Sequence, residues 1–286
     1  MPSFTNQATL SYRGNVTISN IVTGELVAVL SATKTSLADT YGADDIITYV
    51  ISLVNSGTTP YTGLTVTDDL GTYAYGTGTL IPLTYVDGSL RYFVNGVLQA
   101  TPTITSGSLL TVTGISVPAD GNALLVYEAR ANTFAPLEGE STITNTATVS
   151  GGGLTTPIQA TQTVNARTDA YLTINKAISP ATVAENGTLT YTFTIQNYGN
   201  TDAVATDDVT VSDTFNPILN PISVSYNGTA WTEGTQYTYD SATGAFTTIP
   251  AAGPITVPAA TFARDPATGA VTVTPGVSIL VIKGTV

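Results

Sequence analysis

A chain of 286 residues, 42% of them hydrophobic, is long enough for about two domains of ~150 residues with a core in each. Its 8 Lys and Arg against 20 Asp and Glu leave a net charge of −12, which repels nucleic acid and anionic membrane alike, and no apolar run approaches the ~18 residues of a membrane span. With no Cys and no His, disulfides, thiolate metal sites, thiol catalysis, the usual general base and the commonest transition-metal ligand are excluded, so no cofactor, no metal and no enzymatic activity are expected.

In chain order, Met1 to Asn6 carries neither the basic end nor the apolar stretch of a signal peptide, so export would be unconventional, or this N-terminus is not the one first translated. Residues 11–30 alternate like strands rather than a tether. Period-two runs follow at Ile47–Val54, Leu64–Asp68, Ile143–Val149, Leu189–Ile195 and Val271–Thr274, and no amphipathic helix pattern competes with them. Tight turns at Asp87-Gly88, Asn95-Gly96, Asp120-Gly121, Asn186-Gly187 and Asn227-Gly228 separate the runs. The Gly151-Gly152-Gly153 tract, flanked by alternating Thr and Val, reads as a hairpin turn as readily as a linker. Many short β-branched strands need two sheets to bury their inner faces, which gives an all-β chain of Ig-like sandwiches.

An internal repeat organises these strands. Lys34–Asn55 aligns without gaps on Lys176–Asn197 at an offset of 142, pairing Tyr49 with Tyr191 and Asn55 with Asn197. Leu64–Asp68 then matches Val209–Asp213 after a three-residue insertion, and Pro118–Ala131 matches Thr274–Val286. The first copy continues with Ile143–Val149, for which the second has no residues left. That strand reappears at the start of the chain, where Thr5–Leu10 reproduces Thr144–Val149.

The repeat is therefore circularly offset. The expected layout is an N-terminal donor-strand arm and connector (1–30), a complete Ig-like sandwich (31–150), a connector (151–170), and an incomplete sandwich lacking its final strand (171–286). A sandwich without that strand leaves unpaired N–H and C=O groups beside an apolar slot, which must be filled. By alternation Phe4, Asn6, Ala8 and Leu10 share one face of the arm, as Ile143, Asn145, Ala147 and Val149 do in the first copy. Head-to-tail strand donation between copies fills the slot. A closed monomer, with residues 1–10 folded back into its own second domain, also satisfies the arithmetic, since the 28 residues between Asn6 and Lys34 reach ~90 Å when extended.

On the residues Ala32-Thr33-Lys34-Thr35, Ile47-Thr48-Tyr49-Val50 to Asn55-Ser56-Gly57, Val66-Thr67-Asp68 and Asn145-Thr146-Ala147-Thr148-Val149, the sequence resembles the bacterial cell-surface repeat family known as domain of unknown function eleven. The resemblance implies Ig-like modules strung along surface proteins as stalks or adhesins, and so an extracellular place on a cell or spore surface.

Two of the three lysines, Lys34 and Lys176, hold equivalent positions on the first strand of each copy. They resemble the set in Gram-positive pilin domains in which a strand Lys, a last-strand Asn and a nearby acid form an isopeptide bond autocatalytically. That resemblance assigns Lys34, Asn145 and Asp68 to a bond within the chain, and Lys176, Asp213 and a neighbour's Asn6 to a bond between chains. Burial would make the amine neutral and nucleophilic, and a protonated acid would polarise the Asn carbonyl. The alternative is that each Lys packs its stem over apolar surface with its head near an Asp.

Other groupings are weaker. Asp44-Asp45 and Asp207-Asp208 lack Ca²⁺-loop spacing and read as solvated loops. Trp231, Tyr226, Tyr237 and Tyr239 read as inward-facing aromatics before a sugar platform. Tyr73 and Tyr75 read as candidate exposed adhesive contacts. Two functions follow: a self-polymerising filament subunit whose partner is its own copy, or a monomeric surface adhesin or glycan-binding module. The spare last strand separates them, because a binding module has no use for one.

Overall fold

Period-two alternation becomes strand throughout. The computed structural model describes residues 3–25, 28–252 and 255–286, and among these are 28 strands, two short 3-10 turns and no α-helix. The arm consists of β1 (Ser3–Asn6), β2 (Thr9–Tyr12), β3 (Asn15–Ile18) and β4 (Val22–Glu25). It is folded as one hairpin, β1 pairing with β4 and β2 with β3.

The first sandwich begins with β5 (Leu30–Ser36), β6 (Thr40–Tyr41), β7 (Ile46–Asn55) and β8 (Tyr61–Asp68). A small hairpin of β9 (Tyr73–Tyr75) and β10 (Gly78–Leu80) precedes β11 (Leu83–Tyr85), β12 (Arg91–Val94), β13 (Val97–Leu98) and β14 (Thr103–Thr105). The long strands β15 (Leu110–Val117), β16 (Gly121–Ala131), β17 (Thr142–Gly151) and β18 (Ile158–Ala166) complete it. One sheet runs β13-β12-β16-β7-β5 with β11 also on β16, and the other runs β14-β15-β8-β17-β18-β6. Alternate residues of the facing strands make the core: Ile47, Tyr49, Ile51 and Leu53 from β7, Leu64 and Val66 from β8, and Ile143, Ala147 and Val149 from β17. Burial of each Ile, Leu and Val side chain among them contributes about 1.5–3 kcal/mol.

Residues 158–166, expected in a connector, instead belong to the first sandwich. Gly151, Gly152 and Gly153 all take positive φ and turn the chain straight from β17 into β18, a conformation that glycine adopts without steric penalty. The Gly tract is thus a hairpin turn, and the first copy ends in two strands rather than one.

The second sandwich comprises β19 (Leu172–Ser179), β20 (Thr188–Asn197), β21 (Ser212–Thr214), β22 (Ile222–Tyr226), β23 (Thr229–Trp231), β24 (Tyr237–Asp240) and β25 (Ala245–Thr248). After these come the hairpin of β26 (Thr261–Arg264) and β27 (Val271–Thr274), and finally β28 (Gly276–Thr285). The sheet β19-β20-β28-β22-β23 repeats β5-β7-β16-β12-β13 strand for strand, and β24-β25-β21 repeats β14-β15-β8. Among the described residues nothing pairs with the outer edge of β21, where β17 stands in the first copy.

The β26–β27 hairpin has no counterpart in the first copy, and it packs back against the first sandwich. Val271 joins the first core, with Phe262 and Val273 beside it, and the Val271 N–H donates to the Thr133 carbonyl at 2.7 Å. Arg264 donates to the Tyr73 hydroxyl at 2.9 Å, and the Tyr75 hydroxyl donates to the Asp265 carbonyl at 3.2 Å. Tyr73 and Tyr75 therefore serve the contact between the two sandwiches rather than an adhesive surface. Tyr226 and Tyr237 are buried, and Tyr226 stacks on Trp231 at 5.0 Å, in line with the inward reading of those aromatics.

Candidate functional site

Lys34 on β5, Asp68 at the end of β8 and Asn145 on β17 all turn inward because each falls in phase with its strand's buried residues. They converge in the first core. The Lys34 Nζ lies 2.6 Å from Asp68 Oδ2, with both side chains at 0–1% exposure. The same Oδ2 accepts a 2.6 Å hydrogen bond from the Tyr127 hydroxyl, and that hydroxyl accepts one from Asn145 Nδ2 at 3.2 Å. Asp68 Oδ1 takes the Leu70 N–H at 3.0 Å. One unbroken polar chain thus connects amine, carboxylate, phenol and amide.

Two details bear on chemistry. The Asn145 Oδ1 is buried without a hydrogen-bond partner, so the carbonyl that a Lys–Asn reaction activates is not already committed elsewhere. Burial pushes the Lys34 amine below the usual lysine range, against the pull of the Asp68 charge. The ammonium end faces two rings, Tyr49 at 4.9 Å and Tyr127 at 5.9 Å, which limits its contact with water. Burial raises the pKa of both phenols, keeping them neutral at ordinary pH.

Neither Tyr49 nor Tyr127 was legible as part of the site. Tyr49 recurs as Tyr191 in the repeat, yet a lone aromatic on a strand signals core packing. Tyr127 gives no repeat signal at all, because the matching position is Ile282.

The second site holds the same first two members in a different setting. Lys176 pairs with Asp213 Oδ2 as its counterpart does, over the rings of Tyr191 at 4.6 Å, Phe215 at 5.4 Å and Phe193 at 5.5 Å. Its side chain, however, is 41% exposed, where that of Lys34 is 0%. Beside the pair is a cleft of about 150 Å³ lined by Leu172, Ile174, Ile195, Val209 and Val211. Their counterparts in the first copy are Leu30, Ala32, Leu53, Leu64 and Val66, and there the space is occupied by β17, whose Val149 pairs with Val66.

Asn6, expected beside the Lys176 of a neighbouring copy, sits on β1 opposite Val22 in the exposed arm. The structure does not bring it to the second site. Phe4 is 59% and Leu10 64% exposed, and Ala8 falls in the break between β1 and β2, its carbonyl accepting the Ser19 N–H at 2.9 Å. The four proposed donor residues are thus in water, and among the described residues the arm strands pair only with one another.

No protein-family model matches the chain, and no curated protein matches it. Among solved structures it is similar to the major pilin subunit of Bacillus cereus, at 13% identity over 96% of this chain and 73% of that one, with a TM-score of 0.36. It is similar also to the pilus backbone protein of Streptococcus pneumoniae, at 11% identity over 87% and 55% of the two chains and a TM-score of 0.36. A third is the 35 kDa C-terminal fragment of the major pilin of Streptococcus agalactiae, at 11% identity, 55% and 66% coverage and a TM-score of 0.34. The chain spans only 55% and 66% of the lengths of the two streptococcal chains. These likenesses are distant.

Proposed function

We propose that the chain is a structural subunit of an extracellular filament on a cell or spore surface. It polymerises head to tail, the arm of one copy completing the second sandwich of the next. The observation that carries this reading is a pair of matched vacancies. The sheet β24-β25-β21 stops at β21 with an apolar cleft beside it, while a strand of the missing sequence stands exposed at the other end of the same chain. Insertion would set Leu10 in the cleft, at the place of Val149, and Asn6 at the place of Asn145.

Amide bonds between Lys34 and Asn145, and between Lys176 and a neighbour's Asn6, reinforce the fibre. The neutral Nζ attacks the Asn Cγ, the Cγ–Nζ bond forms, the Cγ–Nδ2 bond breaks, and ammonia leaves. The carboxyl of Asp68 or Asp213 carries a proton from the attacking nitrogen to the departing one, so the acid is regenerated and no oxidant or cofactor is required.

Negative-stain microscopy of the purified protein tests the reading. Threads of uniform width are the expected result. Monodisperse particles at high concentration would overturn it in favour of the adhesin.

A further inference from the structure

We infer that the donated element is the whole arm hairpin, β1 to β4, and that its second strand covers the exposed β19 of the acceptor. The inference rests on the head-to-tail reading above and specifies what passes between copies.

The first sandwich shows what completion requires. It is closed by the β17–β18 hairpin, paired from Thr142↔Asn165 to Val149↔Ile158. The second strand of that hairpin packs next to β5. Ala160, Val164 and Ala166 are buried there, and Gln162 Nε2 donates to Ser36 Oγ at 3.1 Å. Supplying β17 alone would leave the flank of β5 open.

The second sandwich lacks both strands, and the flank of β19 is open. Ile174 is 52% and Ile178 44% exposed, at the positions of Ala32 and Ser36. A single inserted strand would fill the cleft and meet Ile174 yet leave Ile178, which does not line it, in water.

The arm carries the matching second strand. Val16, Ile18, Val22 and Gly24 stand 142 positions before Ile158, Ala160, Val164 and Ala166, the same offset that separates Lys34 from Lys176. Val16, Ile18 and Val22 are 57–66% exposed, and among the described residues nothing but β1 and β2 pairs with this strand. Arg13 and Gly14 both take positive φ in the turn, the backbone of a tight two-residue hairpin. The exposed apolar side chains of an isolated ribbon and the open apolar flank of β19 are both removed from water if the two meet between copies.

Register defines the facing residues. Sequence places Asn20 at the position of Gln162, whereas pairing with Asn6 in the free hairpin places Val22 there. The two assignments differ by two residues, so in both the even-numbered side chains of β4, Val22 and Gly24, face the acceptor together with Asn6 and Phe4; the register shifts by one in the other half of the ribbon, where Leu10 lies opposite Thr17.

The chain contains no cysteine, which makes a thiol test clean. Asn20→Cys and Val22→Cys are each combined with Ile178→Cys in an Asn6→Ala background, and assembled threads are treated with a short bis-maleimide crosslinker. A ladder of covalent oligomers on a denaturing gel is expected from at least one combination and from none of the single-cysteine proteins. Threads that give no ladder from either combination would overturn hairpin donation while leaving polymerisation intact. In a second arm, Val22→Lys, which leaves Phe4 to Leu10 untouched, should reduce thread yield at least tenfold; unchanged yield overturns the inference. If the unmodified protein forms no threads, the polymerisation reading falls, and hairpin donation with it.

Discussion

Tyr127 and Ile282 occupy the same ladder position in the two sandwiches, opposite Tyr49 and Tyr191 respectively. In the first, a phenol joins Asp68 to Asn145; in the second, an isoleucine closes that route. The two lysines therefore have the same carboxylate neighbour and different proton paths. Tyr127→Phe is expected to slow amide formation within the chain without preventing it, since the Lys34–Asp68 contact survives. It should also cost about 1–3 kcal/mol through the lost hydrogen bond to a buried carboxylate. Intact mass followed over time after refolding checks the first effect, and urea denaturation of the unlinked form checks the second.

The covalent proposal has a direct mass signature. Purified protein should weigh one ammonia less than its sequence for each bond formed, and Asn145→Ala or Lys34→Ala should abolish the loss attributable to the first sandwich. Asp68→Ala should leave Lys34 and Asn145 unlinked and destabilise the fold by about 3–5 kcal/mol, because it strands a buried amine without its partner. Full sequence mass in the unmodified protein would refute the bond and leave the sandwich untouched.

The pH dependence of the unlinked protein reports the state of the amine. In Asn145→Ala the Lys34 amine is free, and burial holds its folded pKa below the ~10.4 of an unfolded lysine. Between those two values the unfolded chain binds more protons, so stability rises with pH. Above about pH 10 the sign reverses, because Tyr49 and Tyr127 are raised by burial and unfolded phenols ionise first. The urea midpoint should climb towards about pH 10 and then fall. Replacing Lys34 by Met as well should remove the climb and keep the fall; an unchanged profile would show that the amine is not the group titrating.

Leu10 tests the cleft. Leu10→Ala should weaken each joint by about 2–5 kcal/mol, more than a tenfold change in the concentration needed for threads. The first sandwich, which owns all its strands, should melt as before. Deleting residues 1–10 should abolish threads altogether, and light scattering against concentration measures both.

Asn6→Ala separates docking from bonding. Threads should still form, since the ladder and the apolar contacts remain, and should dissolve in hot detergent where those of the unmodified protein persist. Equal resistance of the two on a denaturing gel would show that no amide links the copies through Asn6.

The sequence made some of this legible and hid the rest for identifiable reasons. Alternation correctly put Ile143, Asn145, Ala147 and Val149 on the buried face of β17, because a strand between two sheets leaves only one inward phase. The repeat correctly matched Lys34–Asp68 with Lys176–Asp213, since both pairs lie on strands conserved between the copies. Tyr127 was invisible because its role depends on lateral pairing with β7, which spacing along the chain does not encode. β18 escaped because its inward residues include Ala160 and Ala166 and its middle position is Gln162, so its hydrophobic contrast is weak. Val271–Thr274 was legible as a strand and is β27, but the docking of the β26–β27 hairpin escaped, because the hairpin lies in a stretch without a repeat counterpart and its target is the other sandwich.

The placement of Lys34 and Asn145 has a mechanical meaning. In the proposed fibre, tension on a subunit would enter through β5, just after the arm, and leave along β17 and β18 toward β19, and these two residues lie on the entry and exit strands. An amide between them short-circuits the sandwich. Residues 35–144 then bear no load, however hard the ends are pulled, and a matching bond at Lys176 would hand the force to the next copy in the same way. The backbone of such a fibre is a relay of two short segments per subunit, which cannot lengthen by unfolding the residues that each bond bypasses.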